Sequence, residues 1–99
     1  MRRVESAGGF AMVAKRGDPD RGTLILVIAE RGTPVALVER RMGPDFAYGW
    51  AITTRPDADD PEKFHEAVEN SSRFDPDCWI LELDIADAER FIAETIAAG

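Results

Sequence analysis

Four short, largely apolar stretches bounded by turn residues occupy the first half of the chain, and apolar residues recur at helical spacing in two later stretches. Phe10 to Arg16 reads as a strand bounded by Gly8-Gly9 and Gly17. Gly17-Asp18-Pro19-Asp20-Arg21-Gly22 follows and is rich in turn-forming residues. Leu24 to Ala29 is apolar at every position, which predicts a central strand covered on both faces. Gly32-Thr33-Pro34 turns the chain into a third strand, Val35 to Arg40. After the Met42–Asp45 loop, Tyr48 to Thr54 forms a fourth, with Tyr48, Trp50 and Ile52 on one side and Ala51 and Thr53 on the other. Short connections between successive strands favour an antiparallel meander.

The second half changes period. Arg55 to Asp60 is an acidic linker, with Asp60 as N-cap and Pro61 at the first helical position, where no N–H is required. Phe64, Ala67, Val68 and Ser71 then form one helical stripe. Asp75-Pro76-Asp77 turns into a fifth strand in which Trp79, Leu81 and Leu83 face one way and Cys78, Ile80, Glu82 and Asp84 the other. Asp84 is placed to cap a final helix buried through Ile85, Ala88, Phe91, Ile92 and Ile96. Neither helix is long enough to be stable in isolation, so both must dock on the sheet. The expected fold is α+β, one domain over 1–99: an antiparallel sheet of about five strands (four-stranded meander, helix, fifth strand). The C-terminal helix is expected on the same face as the first.

Composition sharpens this picture through charge. Up to Pro56 there are nine basic and six acidic side chains; from Asp57 onward there are three and thirteen, so halves of +3 and −10 sum to the net −7. An acidic chain with pI near 4.6 is a poor nucleic-acid binder, because such binding rests on neutralising phosphates. The longest apolar run, Leu24 to Ala29, is six residues, against the roughly 20 a membrane helix needs. One cysteine leaves no internal disulfide, and Met1-Arg2-Arg3-Val4-Glu5 opens no apolar leader, so a cytoplasmic location is expected.

Few residues converge on recognisable chemistry. Gly17 to Gly22 has the spacing of a phosphate loop but lacks its lysine, runs into a strand instead of a helix and carries two aspartates; a hairpin turn explains it better. Asp18/Asp20, Asp57/Asp59/Asp60 and Asp75/Asp77 suggest calcium, yet the twelfth loop position would be Ala29, Val68 or Ala86 where a glutamate is required. Asp-Pro-Asp is ordinary turn chemistry. His65 is the only histidine, which excludes sites that need two imidazoles. A Cys78–His65 nucleophilic pair lacks an evident third residue, and Ser71-Ser72 has no nucleophile elbow. Trp50 and Trp79 read as core residues, with a ligand platform as the alternative. Arg16, Arg31, Arg40, Arg41 and Arg55 fall at strand ends and suggest a positive rim for the acidic half of another copy or a partner.

Two segments taken together, Ala7-Gly8-Gly9-Phe10 through Leu24-Ile25-Leu26 and Phe74-Asp75-Pro76-Asp77-Cys78-Trp79-Ile80-Leu81-Glu82-Leu83-Asp84, resemble domain-of-unknown-function family 1491, short proteins of alphaproteobacteria. The resemblance carries no activity with it. Relatives have more helix ahead of the Gly-Gly, so here an apolar sheet surface is expected to lie uncovered. Tyr48-Gly49-Trp50 also stands where relatives carry an arginine before the tryptophan, which argues against an anion site at this strand end.

The leading functional reading is a non-enzymatic protein-interaction module, expected to form a two-fold homodimer through the uncovered sheet face. The alternative is a small metal-dependent hydrolase using Asp75, Asp77 and Glu82 with Asp18. No catalytic residue, cofactor or metal is assigned. The binding candidates are Arg16, Asp18, Asp75, Asp77, Trp79 and Glu82.

Overall fold

In the computed structural model, residues 9–98 are described, and the expectations about the chain start lie outside them. The elements in order are β1 (Phe10–Lys15), β2 (Leu24–Glu30), β3 (Thr33–Met42), β4 (Tyr48–Thr54), α1 (Pro61–Phe74), β5 (Trp79–Asp84) and α2 (Ala88–Ala98). They form one five-stranded sheet in the order β1-β5-β2-β3-β4.

The sheet is mixed, which corrects the antiparallel expectation. β5 runs parallel to β2, while β1–β5, β2–β3 and β3–β4 are antiparallel. Only β2-β3-β4 is a meander; β5 inserts between β1 and β2, so the Arg16–Thr23 connection joins strands that do not pair. The physical reason is visible in the side chains. β2 and β5 both carry apolar residues on both faces and belong in the interior, whereas five of the six β1 residues are exposed and suit an edge. The β2–β3 hairpin closes on Arg31-Gly32, both at positive φ (52° and 79°), the signature of a two-residue turn matched to strand twist.

The two helices lie on opposite faces, correcting the same-face expectation. On one face α2 contributes Ala88, Phe91 and Ile92 to a core with Leu26, Ile28, Ala36, Val38, Leu83 and Ile85, and Trp50 packs at its margin. On the other, Phe64 of α1, flanked by Ala67 and Val68, packs on Ile25, Leu37, Cys78 and Ile80. The alternation in β5 falls as the sequence pattern indicates: Leu81 and Leu83 toward α2, Cys78 and Ile80 toward α1. In α2, Thr95 is buried through a hydroxyl bond to the Phe91 carbonyl, and Ile96 is partly exposed instead.

Helix capping also differs. Asp84 does not cap α2; its carboxylate accepts from the Arg31 and Gly32 N–H groups of the hairpin at 2.9 and 2.8 Å. Glu30 reaches the α2 start, accepting from Ala88 N at 2.9 Å. Asp60 occupies the N-cap of α1 with Pro61 following, but its side chain makes no capping bond.

Candidate functional site

Strand directions divide the molecule into two ends. At one end β1 finishes and β2 and β5 begin; here the two family-resembling segments meet. Asp18 folds its own loop by accepting from the N–H groups of Asp20 and Arg21 at 2.8 and 2.9 Å. Its backbone N–H donates to the Asp77 carbonyl at 2.9 Å, and its carbonyl accepts from the Trp79 indole at 3.0 Å. Asp75 accepts from the Thr23 hydroxyl at 2.6 Å and from Asp77 N at 3.2 Å. Lys15 donates to the carbonyls of Pro76 and Cys78 at 2.6 and 2.9 Å. Two glycines let the loops touch: a Cβ on Gly17 or Gly22 would lie 2.1 or 2.2 Å from the Asp77 carbonyl oxygen. The two loops clasp each other.

The clasp thus gathers Asp18, Asp75, Asp77 and Trp79. Arg16 is exposed beside it, and Glu82 stands apart, midway along β5 on the α1 face. Of the carboxylates offered for a metal-dependent hydrolase, Glu82 lies apart from the other three, and Asp18 and Asp75 are engaged by backbone and hydroxyl donors. Among the described residues no group of three or more His, Cys, Asp or Glu could hold a metal ion.

Cys78 and His65 are not partners. Cys78 is fully buried against Phe64 and Ile25, and that burial pushes its thiol above the ordinary range against the opposing pull of the Lys15 ammonium. His65 lies exposed on α1 beside Glu69, at 3.6 Å. The arginines do not form one rim. Arg16, Arg40 and Arg41 lie at the clasp end, while Arg31 and Arg55 lie at the other. Arg40 sits over the Trp50 ring at 5.4 Å, and Arg55 grips Glu89 of α2 with two bonds of 2.6 and 2.9 Å.

Two concave surfaces on the α1 face were not anticipated from sequence. The first, about 390 Å³, lies between the start of β2, the end of β3 and the last turn of α1; Thr23, Glu39, Arg41, Asn70 and Phe74 border it. Its floor is the buried Glu39 carboxylate, which accepts from the Thr53 hydroxyl and from Arg41 at 3.3 Å. Glu39 follows the four apolar residues Val35 to Val38 in β3, and a charge ending such a run is the available signal. The second, about 330 Å³, is a trough at the opposite end of the same face, lined by Phe10, Met12, Val27, Ala29, Pro34, Glu82 and Asp84. Phe10 and Met12 are 64% and 54% exposed there. Among the described residues, α1 covers only the clasp-end half of this face and no other element covers the rest.

Among the described residues, a mixed sheet of order 1-5-2-3-4 with one helix on each face defines a small α+β domain. The chain belongs to the family described as "Protein of unknown function (DUF1491)", whose pattern it matches over residues 1–93. It is similar to the NMR structure of a DUF1491 family protein from Caulobacter crescentus CB15, with 29% identity, TM-score 0.70, and 88% of this chain and 78% of that one covered. A crystal structure of a DUF1491 family protein from the same organism gives 27% identity and TM-score 0.67, covering 84% and 77%. The fold is also shared with protein Atu0922 from A. tumefaciens, at 23% identity and TM-score 0.60, covering 86% and 77%. No curated protein matches the chain. Among the described residues no helix is long and apolar enough to cross a membrane.

Proposed function

We propose that the chain is a cytoplasmic, non-enzymatic interaction module whose contact surface is the open half of the α1 face. The observation that carries this reading is the trough itself: Phe10, Met12, Val27 and Pro34 form a contiguous apolar surface on an edge strand and its neighbours, with no helix of the described residues over it. Apolar patches of this kind on a small domain mark interaction sites. The engagement of Asp18 and Asp75 by their own loops supports a binding role over a hydrolytic one.

A second reading, a two-fold homodimer, is favoured by the outer hydrogen-bonding edge of β1, which no described strand pairs and which borders the trough. The surface available to it is a half-bare face, not the wholly bare one expected from the sequence. A photoreactive phenylalanine analogue placed at Met12 in living cells tests both. Adducts from position 12, and none from the exposed Glu69 of α1, are expected. No adduct at Met12, or equal adducts at both positions, would sink the module. An adduct of twice the 10.9 kDa chain mass would select the homodimer.

A further inference from the structure

We infer that the open half-face is a slot for one amphipathic helix of a partner protein, whose apolar stripe carries a basic side chain at its middle. The inference rests on the interaction reading above and adds the occupant.

Shape decides for a helix. β1, β5 and β2 line the trough with Pro34 of β3 at one side, and at about 4.8 Å per strand the first three leave about 10 Å between the outer two. An α-helix with its side chains is about 10–12 Å across. The neighbouring strip of the same face is already filled by a helix, α1, through Phe64, Ala67 and Val68. Helices pack at about 8–10 Å axis to axis, so the slot continues an existing helical layer.

Charge decides which helix. Glu82 sits at the centre of the floor, paired in register with Met12 on one side and Val27 on the other. Its carboxylate has no hydrogen-bond or ion-pair partner among the described residues, in contrast to Asp84 two residues on, which the hairpin N–H groups satisfy. An apolar occupant would strip water from Glu82 and leave a charge unpaired, which is costly. A lysine or arginine in the middle of the stripe removes that cost. The same charge disfavours a second copy on this patch, because a two-fold axis through it would set Glu82 against Glu82 in a chain of net charge −7.

The test uses the full chain and two synthetic helical peptides of about four turns. They share one leucine-alanine stripe and differ only in the residue at its middle, lysine or glutamate. Titrated into isotope-labelled protein, the lysine peptide is expected to shift the amides of Phe10, Met12, Val27 and Glu82, and to bind about tenfold or more tighter than the glutamate peptide. Glu82→Lys, at an exposed position, should reverse that preference. Equal binding of the two peptides, binding elsewhere, no binding, or no reversal in Glu82→Lys would each overturn the assignment. So would a light-scattering mass of a dimer that Met12→Asp abolishes, which makes a second copy the occupant. Nuclear Overhauser contacts from residues 1–8 to Met12 in the free protein would overturn it too, by making the chain's own start the occupant. A cross-link from Met12 in cells together with failed peptides would leave the interaction module standing and remove only the helix.

Discussion

The clasp and the open half-face are built from similar materials, acidic side chains beside apolar strand ends, and they behave in opposite ways. At the clasp, Asp18 and Asp75 lie within reach of backbone N–H groups and a threonine hydroxyl that secondary structure leaves unpaired, and their carboxylates close the loops. At the open half-face, Glu82 is on a central strand whose backbone is already paired on both sides, so its side chain has no local donor. A buried or crowded N–H must find an acceptor, which is why loop aspartates become structural and a mid-strand glutamate does not. What distinguishes the two regions is the supply of orphan donors, not the amount of negative charge.

The sharpest way to break this comparison is to force the clasp apart. Gly17→Ala puts a methyl group 2.1 Å from the Asp77 carbonyl oxygen, a backbone atom that cannot swing aside. One loop must move, and overpacking of this kind costs about 1–3 kcal/mol. Chemical denaturation should show that loss, whereas Met12→Ser on the open half-face should stay within about 0.5 kcal/mol of the parent. Equal effects at the two positions would mean that the clasp is no more tightly built than the trough.

Asp75→Ala comes next. It removes the acceptor for Thr23 and for Asp77 N, and a lost local cap of this type costs about 0.5–2 kcal/mol. Thr23→Val should reproduce part of the loss, and the double variant should cost less than the two single losses added, since both delete one shared bond. Strict additivity would show that the Thr23–Asp75 bond contributes nothing.

The same distinction explains how much of the molecule could be read from its sequence. Strand positions and the inward side of each strand follow from periodicity, which is a local property, and Trp79 to Asp84 and Leu24 to Ala29 conform to it. The order of strands is not local. Insertion of β5 beside β2 depends on two strands with apolar residues on both faces seeking the sheet interior together, and short loops pointed instead to β1 as the neighbour of β2. The apolar character of β2 on both faces was legible and required cover on both. Assigning the helices to opposite sides was the step that β2 supported and the meander obscured. Candidate-site residues divide similarly. Asp18, Asp75, Asp77 and Trp79 were gathered by motif, and the structure brings them together. Glu39, Phe10 and Met12 carry no motif, because their importance depends on what the helices leave uncovered.

Between a carboxylate held by backbone donors and one with no partner stands Glu89, held by a side chain. Arg55 grips it through its two terminal guanidinium nitrogens and so ties the end of β4 to the first turn of α2; the hydrogen bond from Arg55 is the main cause holding the Glu89 carboxyl below its usual range. A carboxyl whose folded-state pKa is depressed adds stability above its unfolded value, and that stability fades as pH falls through the folded value. The midpoint difference between the parent and Arg55→Gln should therefore be fully present at neutral pH and begin to shrink below the ordinary carboxyl value of 4.5. It should vanish in stronger acid. Glu89→Gln should flatten the same part of the profile, and salt should weaken the effect because both side chains are exposed. This is the smallest of the three effects, and the expected change is a modest fall in melting midpoint. If the Arg55→Gln difference persists undiminished in acid, the guanidinium acts through its 3.3 Å bond to the Val35 carbonyl. In that case Glu89 joins Glu82 as a carboxylate without a structural role, and side-chain partners would not substitute for the backbone donors that set the clasp apart.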